Sequence, residues 1–238
     1  MATPRDNSDI ERVLVVSAHP DDADFGAGGT IAAWVAAGLQ VTELYVTRGE
    51  QGGRPDVDPA GIPLRREAEQ RAASAQRGVH DVRFLDGHRD GWVAPTPELV
   101  RDLVAVIRQV RPQRVLCQSP ERNYERLHAS HPDHLAAGEA MIRAVYPAAE
   151  NPFAWPELGL PFWHVGEIWL AAHPAPDHVV DVTDTFDQKV AALHEHASQT
   201  GHREELETFL RGWASSVASA QGLPEGRLAE VFKVIALN

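Results

Sequence analysis

The 238-residue sequence has a single cysteine, Cys117, so it cannot form an intramolecular disulfide and suits a reducing, cytoplasmic compartment. It has no apolar run approaching the roughly 18 residues that a membrane-spanning helix needs. The opening stretch MATPRDNSDIER lacks the apolar centre of a signal peptide. Positive charge is scarce, with 22 Lys and Arg against 34 Asp and Glu and a net charge of −12. That balance argues against a nucleic-acid backbone or an anionic membrane as partner, but it does not exclude a small anionic substrate. Internal repeats, low-complexity tracts and linkers are also missing. The remainder is 43% hydrophobic and 24% charged, as in a soluble globular protein able to bury a substantial core. One domain over residues 1–238 is expected, with residues 1–10 a loose polar lead-in.

Apolar patterning supplies the architecture. Val13–Val16 is a short β-branched run of the kind found in strands covered on both faces. A helix is expected over Gly28–Ala37, ended by Gly38, and a second strand over Gln40–Val46. Further helices are expected over Leu64–Gln76, Pro97–Gln109 and about Pro132–Val145, and further strands over Val82–Leu85 and Arg114–Cys117. Residues 147–176 read as an irregular, aromatic-rich insertion holding a strand at Glu167–Ala171. Helices at Asp184–Ser198 and Glu204–Ala220 and a last strand at Ala229–Ile235 complete the chain. This alternation is the signature of an α/β fold, a doubly wound and mostly parallel sheet flanked by helices.

In such sheets, ligands sit beyond the carboxyl ends of strands where strand order reverses. Two histidine-rich segments qualify. SAHPDDADFGAGG (residues 17–29) follows the first strand, and His128 with His131-Pro132-Asp133-His134 follows the strand at Val115. His19 and Asp22 can point from one tight turn at a single centre, and His131 and His134 share a face if a helix begins there. Imidazole and carboxylate are standard zinc ligands, and a hydrolytic zinc uses three, so these four are one more than it needs. Asp21, left between the first pair, is placed as a general base beside metal-activated water. The plainer readings are that Asp21, Asp22 or Asp24 caps the next helix and that the histidines lie on the surface. Dinucleotide binding fits poorly, because position 31 of G-x-G-x-x-G is Ile31 and three acids would repel a pyrophosphate.

AHPDD after a first strand, with a later HPDH, resembles the LmbE-like, or PIG-L, N-acetylglucosaminyl deacetylase family. YVTRGEQGG, LRREAEQRAA, FLDGHRDG, DVTDTFDQKVAALHEHASQ and LAEVFKVI extend the resemblance over roughly residues 12–235. It implies a Rossmann-like fold and metal-dependent hydrolysis of the amide of a small N-acyl amino sugar or its conjugate. It also implies Zn²⁺ held by His19, Asp22 and His134, with Asp21 as base to the metal-bound water. His131 is similar to the histidine that stabilises the oxyanion or protonates the leaving amine, and Asp133 to the acid that orients a neighbouring histidine. Fe²⁺, Co²⁺ or Ni²⁺ suits the same ligands.

An arginine near the second-strand loop or the next helix holds the sugar in the family. Arg48, Arg54, Arg65 and Arg66 are available here, and Arg65 and Arg48 are the candidates, each with a solvated surface arginine as the alternative. Asp90 resembles a sugar-contacting acid, or serves only an Asp-Gly turn. Tyr124 and His128 are candidates to line the pocket. The segment around Trp155, Phe162 and Trp163 is a pocket wall, a lid or a contact within a homo-oligomer. Two rival functions remain: an amidase for a larger acyl group or thiol conjugate (less readily a phosphoesterase), and a metal- or sugar-binding protein without turnover. Asp21 separates them, since a binder has no use for a spare carboxylate.

Overall fold

The structure, a computed structural model, describes residues 4–53 and 58–237. Five strands run parallel: β1 (Arg12–Ser17), β2 (Gln40–Tyr45), β3 (Asp81–Phe84), β4 (Arg114–Gln118) and β5 (Glu167–Ala171). The sixth, β6 (His178–Asp181), lies at one edge, and β7 (Ala229–Ala236) is antiparallel to both β5 and β6. The order is β3-β2-β1-β4-β5-β7-β6, so direction of travel reverses between β1 and β4. Helices α1 (Asp22–Ala36), α2 (Ile62–Gln76), α3 (Pro97–Val110), α4 (Pro132–Arg143), α5 (Phe186–Glu195), α6 (Ala197–Thr200) and α7 (Leu206–Ala220) cover the sheet. Among them, no helix is long and apolar enough to cross a membrane.

The pleat explains the layers. Successive side chains of β1 point to opposite faces, so Leu14 and Val16 pack with Leu99, Leu103 and Met141 of α3 and α4. Val13 and Val15 pack with Ala27, Ile31 and Trp34 of α1 on the other face. A third cluster, Phe186, Val190, Leu210 and Ala214, joins α5 to α7. All of these side chains are buried, and truncating one such as Leu14 to Ala costs about 2–5 kcal/mol.

Three expectations are corrected. Helix α1 begins at Asp22, not Gly28, although Gly26, Gly28 and Gly29 are weak helix formers. Close packing overrides propensity: a Cβ on Gly29 would sit 2.7 Å from Val182 Cβ, and one on Gly28 3.0 Å from Lys189 Cγ. Strand β6 was not expected; it is a four-residue edge strand reached through Pro174 and Pro176, too short to show a period. The loose lead-in is tied down from Arg5 onward. The Arg5 N–H donates to Glu167 Oε2 at 2.8 Å, Arg114 donates to Asn7 Oδ1 at 2.7 Å, and Ile10 is buried.

Candidate active site

The turn after β1 and the loop after β4 meet where strand order reverses, the position at which open α/β sheets form a crevice. In the first, Asp21 adopts a left-handed conformation (φ 82°, ψ −23°) between β1 and α1. Asp and Asn tolerate that region best among residues with a side chain, at a cost of order 1 kcal/mol. Helix α2 holds it there. The Asp21 N–H donates to Gln70 Oε1 at 2.8 Å, and buried Arg66 donates to the Pro20 carbonyl at 2.7 Å and to Asp21 Oδ2 at 3.2 Å. The His19 N–H donates to Asp22 Oδ2 at 2.8 Å, closing the turn.

In the second segment, Pro132 occupies the first position of α4 and His131 caps it, its Nδ1 accepting the Asp133 N–H at 3.2 Å. His134 then faces α1, its Nε2 3.0 Å from Asp22 Oδ1. The rings of His19, His131 and His134 form a near-equilateral triangle, with centroids 5.2, 5.4 and 5.3 Å apart. One nitrogen from each ring lies within 4.8 Å of the others. Behind them, His19 Nε2 is 3.0 Å from Asp90 Oδ1 and 3.1 Å from Asp133 Oδ2, and its Nδ1 is 3.4 Å from Asp22 Oδ2. Asp133 is anchored by the N–H groups of Gly91 (2.6 Å) and Val93 (3.3 Å), and Asp90 by that of Gln51 at 2.8 Å.

Four carboxylates therefore crowd three imidazoles, and the charges respond. Burial alone would hold the His19 imidazole down, but hydrogen bonds to Asp133, Asp22 and Asp90 push it up to about 12. Burial alone would raise Asp22, but His134 and His19 bring it well below the usual carboxylate range. Asp21 goes the other way: burial raises it to about 6, against the pull of Arg66. His131 is lowered by burial and then by the neighbouring His19 and His134. A partly buried cluster with surplus negative charge and convergent imidazoles is the donor set of a divalent transition metal, and the residues fit one.

The residues expected from sequence divide into two groups. His19, Asp21, Asp22, Asp90, His131, Asp133 and His134 come together. Arg65 does not: it is half exposed and pairs with Glu69 at 3.1 Å, while Arg66, one residue on, reaches Asp21. Arg48 is turned to Glu67, Asp86 and the Leu85 carbonyl, each at 3.0 Å. Tyr124 is 83% exposed, Arg54 lies outside the described residues, and so does the side chain of His128. Sequence reading missed Gln70 and the buried His196, whose Nε2 is 3.1 Å from Asp24 Oδ2. Asp24, offered there as one of three possible caps of the helix, is fully buried and pairs with Arg77 at 2.8 Å. The available signal was the α2 stripe Ile62, Arg66, Gln70, Ala73 and Arg77, one face at helical spacing.

A cavity of about 590 Å³ has Asp22 and His134 in its wall and continues along α7 past Leu210 and Trp213. Residues 14–145 match the family profile described as GlcNAc-PI de-N-acetylase. A 1D-myo-inositol 2-acetamido-2-deoxy-alpha-D-glucopyranoside deacetylase of Streptomyces avermitilis is 37% identical over 69% of this chain; the match spans 62% of that relative's length. A diacetylchitobiose deacetylase of Thermococcus kodakarensis is 33% identical over 81% of this chain and 71% of its own. The crystal structure of N,N'-diacetylchitobiose deacetylase from Pyrococcus horikoshii superimposes with a TM-score of 0.86 at 28% identity, covering 96% of this chain and 85% of that one.

Proposed function

The chain belongs to the PIG-L (LmbE-like) deacetylase family, and from that premise we propose that it is a zinc-dependent hydrolase of the N-acetyl amide of an N-acetylglucosamine-type substrate. One observation carries the reading. Asp22 lies between His19 and His134, with Oδ2 3.4 Å from His19 Nδ1 and Oδ1 3.0 Å from His134 Nε2, a residue more than a hundred positions distant in sequence, while the Asp21 carboxylate is held by Arg66 instead. The named relatives support the substrate class, since both act on sugars bearing an acetamido group.

Zinc held by His19, Asp22 and His134 would polarise the amide carbonyl and acidify water. Asp21 takes the proton of the attacking water; Arg66 fixes the carboxylate that receives it and the left-handed backbone that aims it. The capping bond supports the role proposed for His131. Because Nδ1 accepts the Asp133 N–H, the ring proton sits on Nε2, the nitrogen left to donate to the developing oxyanion. Asp90 and Asp133 hold His19 by Nε2, which leaves its Nδ1 on the side of Asp22. When the C–N bond breaks, Asp21 passes its proton to the leaving nitrogen, giving acetate and a free amine.

The test is acetate and primary-amine release across a panel of N-acyl amino sugars, before chelation, after chelation and after adding back zinc. Release that chelation abolishes and zinc restores is expected. No release from any member by the zinc-loaded protein overturns the reading.

A further inference from the structure

We propose that the cavity running from Asp22 and His134 along α7 is a subsite for the substituent carried by the amino sugar, and that this substituent is apolar with an anionic end. The inference rests on the hydrolase reading above and adds to it a chemical class. The wall that holds the two candidate metal ligands also includes the small residues Gly26 and Ala171 and the polar Gln118, Asn123 and His173. Phe25, Leu210, Trp213 and Val217 contribute large apolar side chains to the same wall. The cavity is therefore too large and too apolar for an acetyl group alone, and it begins at Asp22 and His134, so a substituent of the sugar held there can extend into it.

Charge defines the rest. Two exposed arginines stand at this wall: the Arg126 guanidinium is 5.3 Å from the Trp213 ring centroid, and that of Arg203 is 5.9 Å from the Phe25 ring. Among the described residues, neither has a carboxylate within ion-pair distance. Pairing is the rule nearby: Arg211 on the same helix as Trp213 is held by Asp187 at 2.6 Å and Glu207 at 2.8 Å. The third cation of the wall, Lys189, is already engaged, donating to Glu230 Oε1 at 2.6 Å and to the Phe25 carbonyl at 2.7 Å. Glu230 is in turn satisfied by Lys189 and by the N–H and hydroxyl of Thr30, so it does not offset the two arginines. Two unpaired guanidiniums over aromatic rings, in a chain of net charge −12, complement a flat or apolar group that ends in a carboxylate or phosphate.

Titration calorimetry on the zinc-loaded protein tests this with three amine probes that cannot be turned over: the phenyl, 4-carboxyphenyl and 4-phosphonooxyphenyl glycosides of glucosamine. A charged probe is expected to bind about tenfold tighter than phenyl, in line with a charge-assisted hydrogen bond. Whether carboxylate or phosphate binds tighter identifies the anionic group. In the Arg126→Gln/Arg203→Gln double variant, the charged-to-phenyl ratio is expected to collapse to about one, and Trp213→Ala to weaken all three probes by about tenfold. The milder Trp213→Phe keeps an aromatic surface and is expected to recover most of that loss. Equal binding of all three probes to the wild type, or a charge preference that survives the double variant, overturns the proposal. Because the probes are amines, this result stands apart from hydrolysis: failure to deacetylate N-acetylglucosamine would count against the function, not the subsite.

Discussion

Gln70 and Asp21 are joined across the gap between α2 and the turn after β1, the Asp21 N–H donating to Gln70 Oε1 at 2.8 Å. The same side chain donates from Nε2 to Asp24 Oδ2 at 3.0 Å and to Ser74 Oγ at 3.2 Å. One buried amide thus supports both the strained residue and the acid behind it. In Gln70→Ala, the Asp21 N–H and a buried carboxylate oxygen both lose a partner. Stability in urea is expected to fall by about 1–3 kcal/mol. Turnover should fall with it, with kcat reduced more than KM rises, because the base moves while substrate contacts remain.

In the proposed mechanism, proton transfer and metal binding part company at Asp21. Asn tolerates its left-handed backbone, so Asp21→Asn tests the carboxylate without disturbing the turn. Bound zinc, measured by elemental analysis, is expected to stay at the wild-type level while acetate release drops by about 10²- to 10⁴-fold. His134→Ala is expected to lose both. Wild-type turnover by the Asn variant would remove Asp21 from the mechanism.

Gly138 places α4 against the end of β4. A Cβ at this position would collide with the Gln118 carbonyl oxygen and lie 3.0 Å from the Pro120 nitrogen, both backbone atoms that cannot swing aside. Gly138→Ala is therefore expected to cost about 1–3 kcal/mol by overpacking, despite the better helix propensity of alanine. Since α4 carries His134, zinc affinity should weaken in the same variant, measured by competition with a chromogenic chelator.

Cys117 lies one residue before the end of β4, inside the core, and burial pushes its thiol up to about 12. At pH 8 the native protein is expected to be inert to a disulfide reagent, and one equivalent should react once guanidinium unfolds it. Rapid reaction of the folded protein would show that this core opens readily.

The two histidine segments were legible because metal ligands must be specific residue types at short spacing, and the central strands because strands covered on both faces are written in Val, Leu and Ile. The choice between Arg65 and Arg66 depends on helical phase. Only position 66 falls on the face with Gln70, Ala73 and Arg77, and in a helix buried through polar contacts the apolar pattern does not reveal that face. Asp90 was legible as an acid in a turn, but its contact with His19 spans about seventy residues and has no local signature. The first six residues of α1 escaped notice for a related reason: Asp22 is engaged by His19 and His134 and Asp24 by Arg77, so tertiary contacts stabilise a segment of poor helix propensity.

Strand β7 lies inside the sheet, between β5 and β6, and its residues Ala229, Glu230 and Val231 line the cavity. The order of synthesis follows from that. A growing chain has made all three candidate zinc ligands by residue 134, yet it cannot complete the cavity wall until almost a hundred more residues have emerged. On the proposed reading, metal capture precedes substrate recognition during the protein's own production, and zinc held by the first half would favour the β1–β4 pairing on which the later strands assemble.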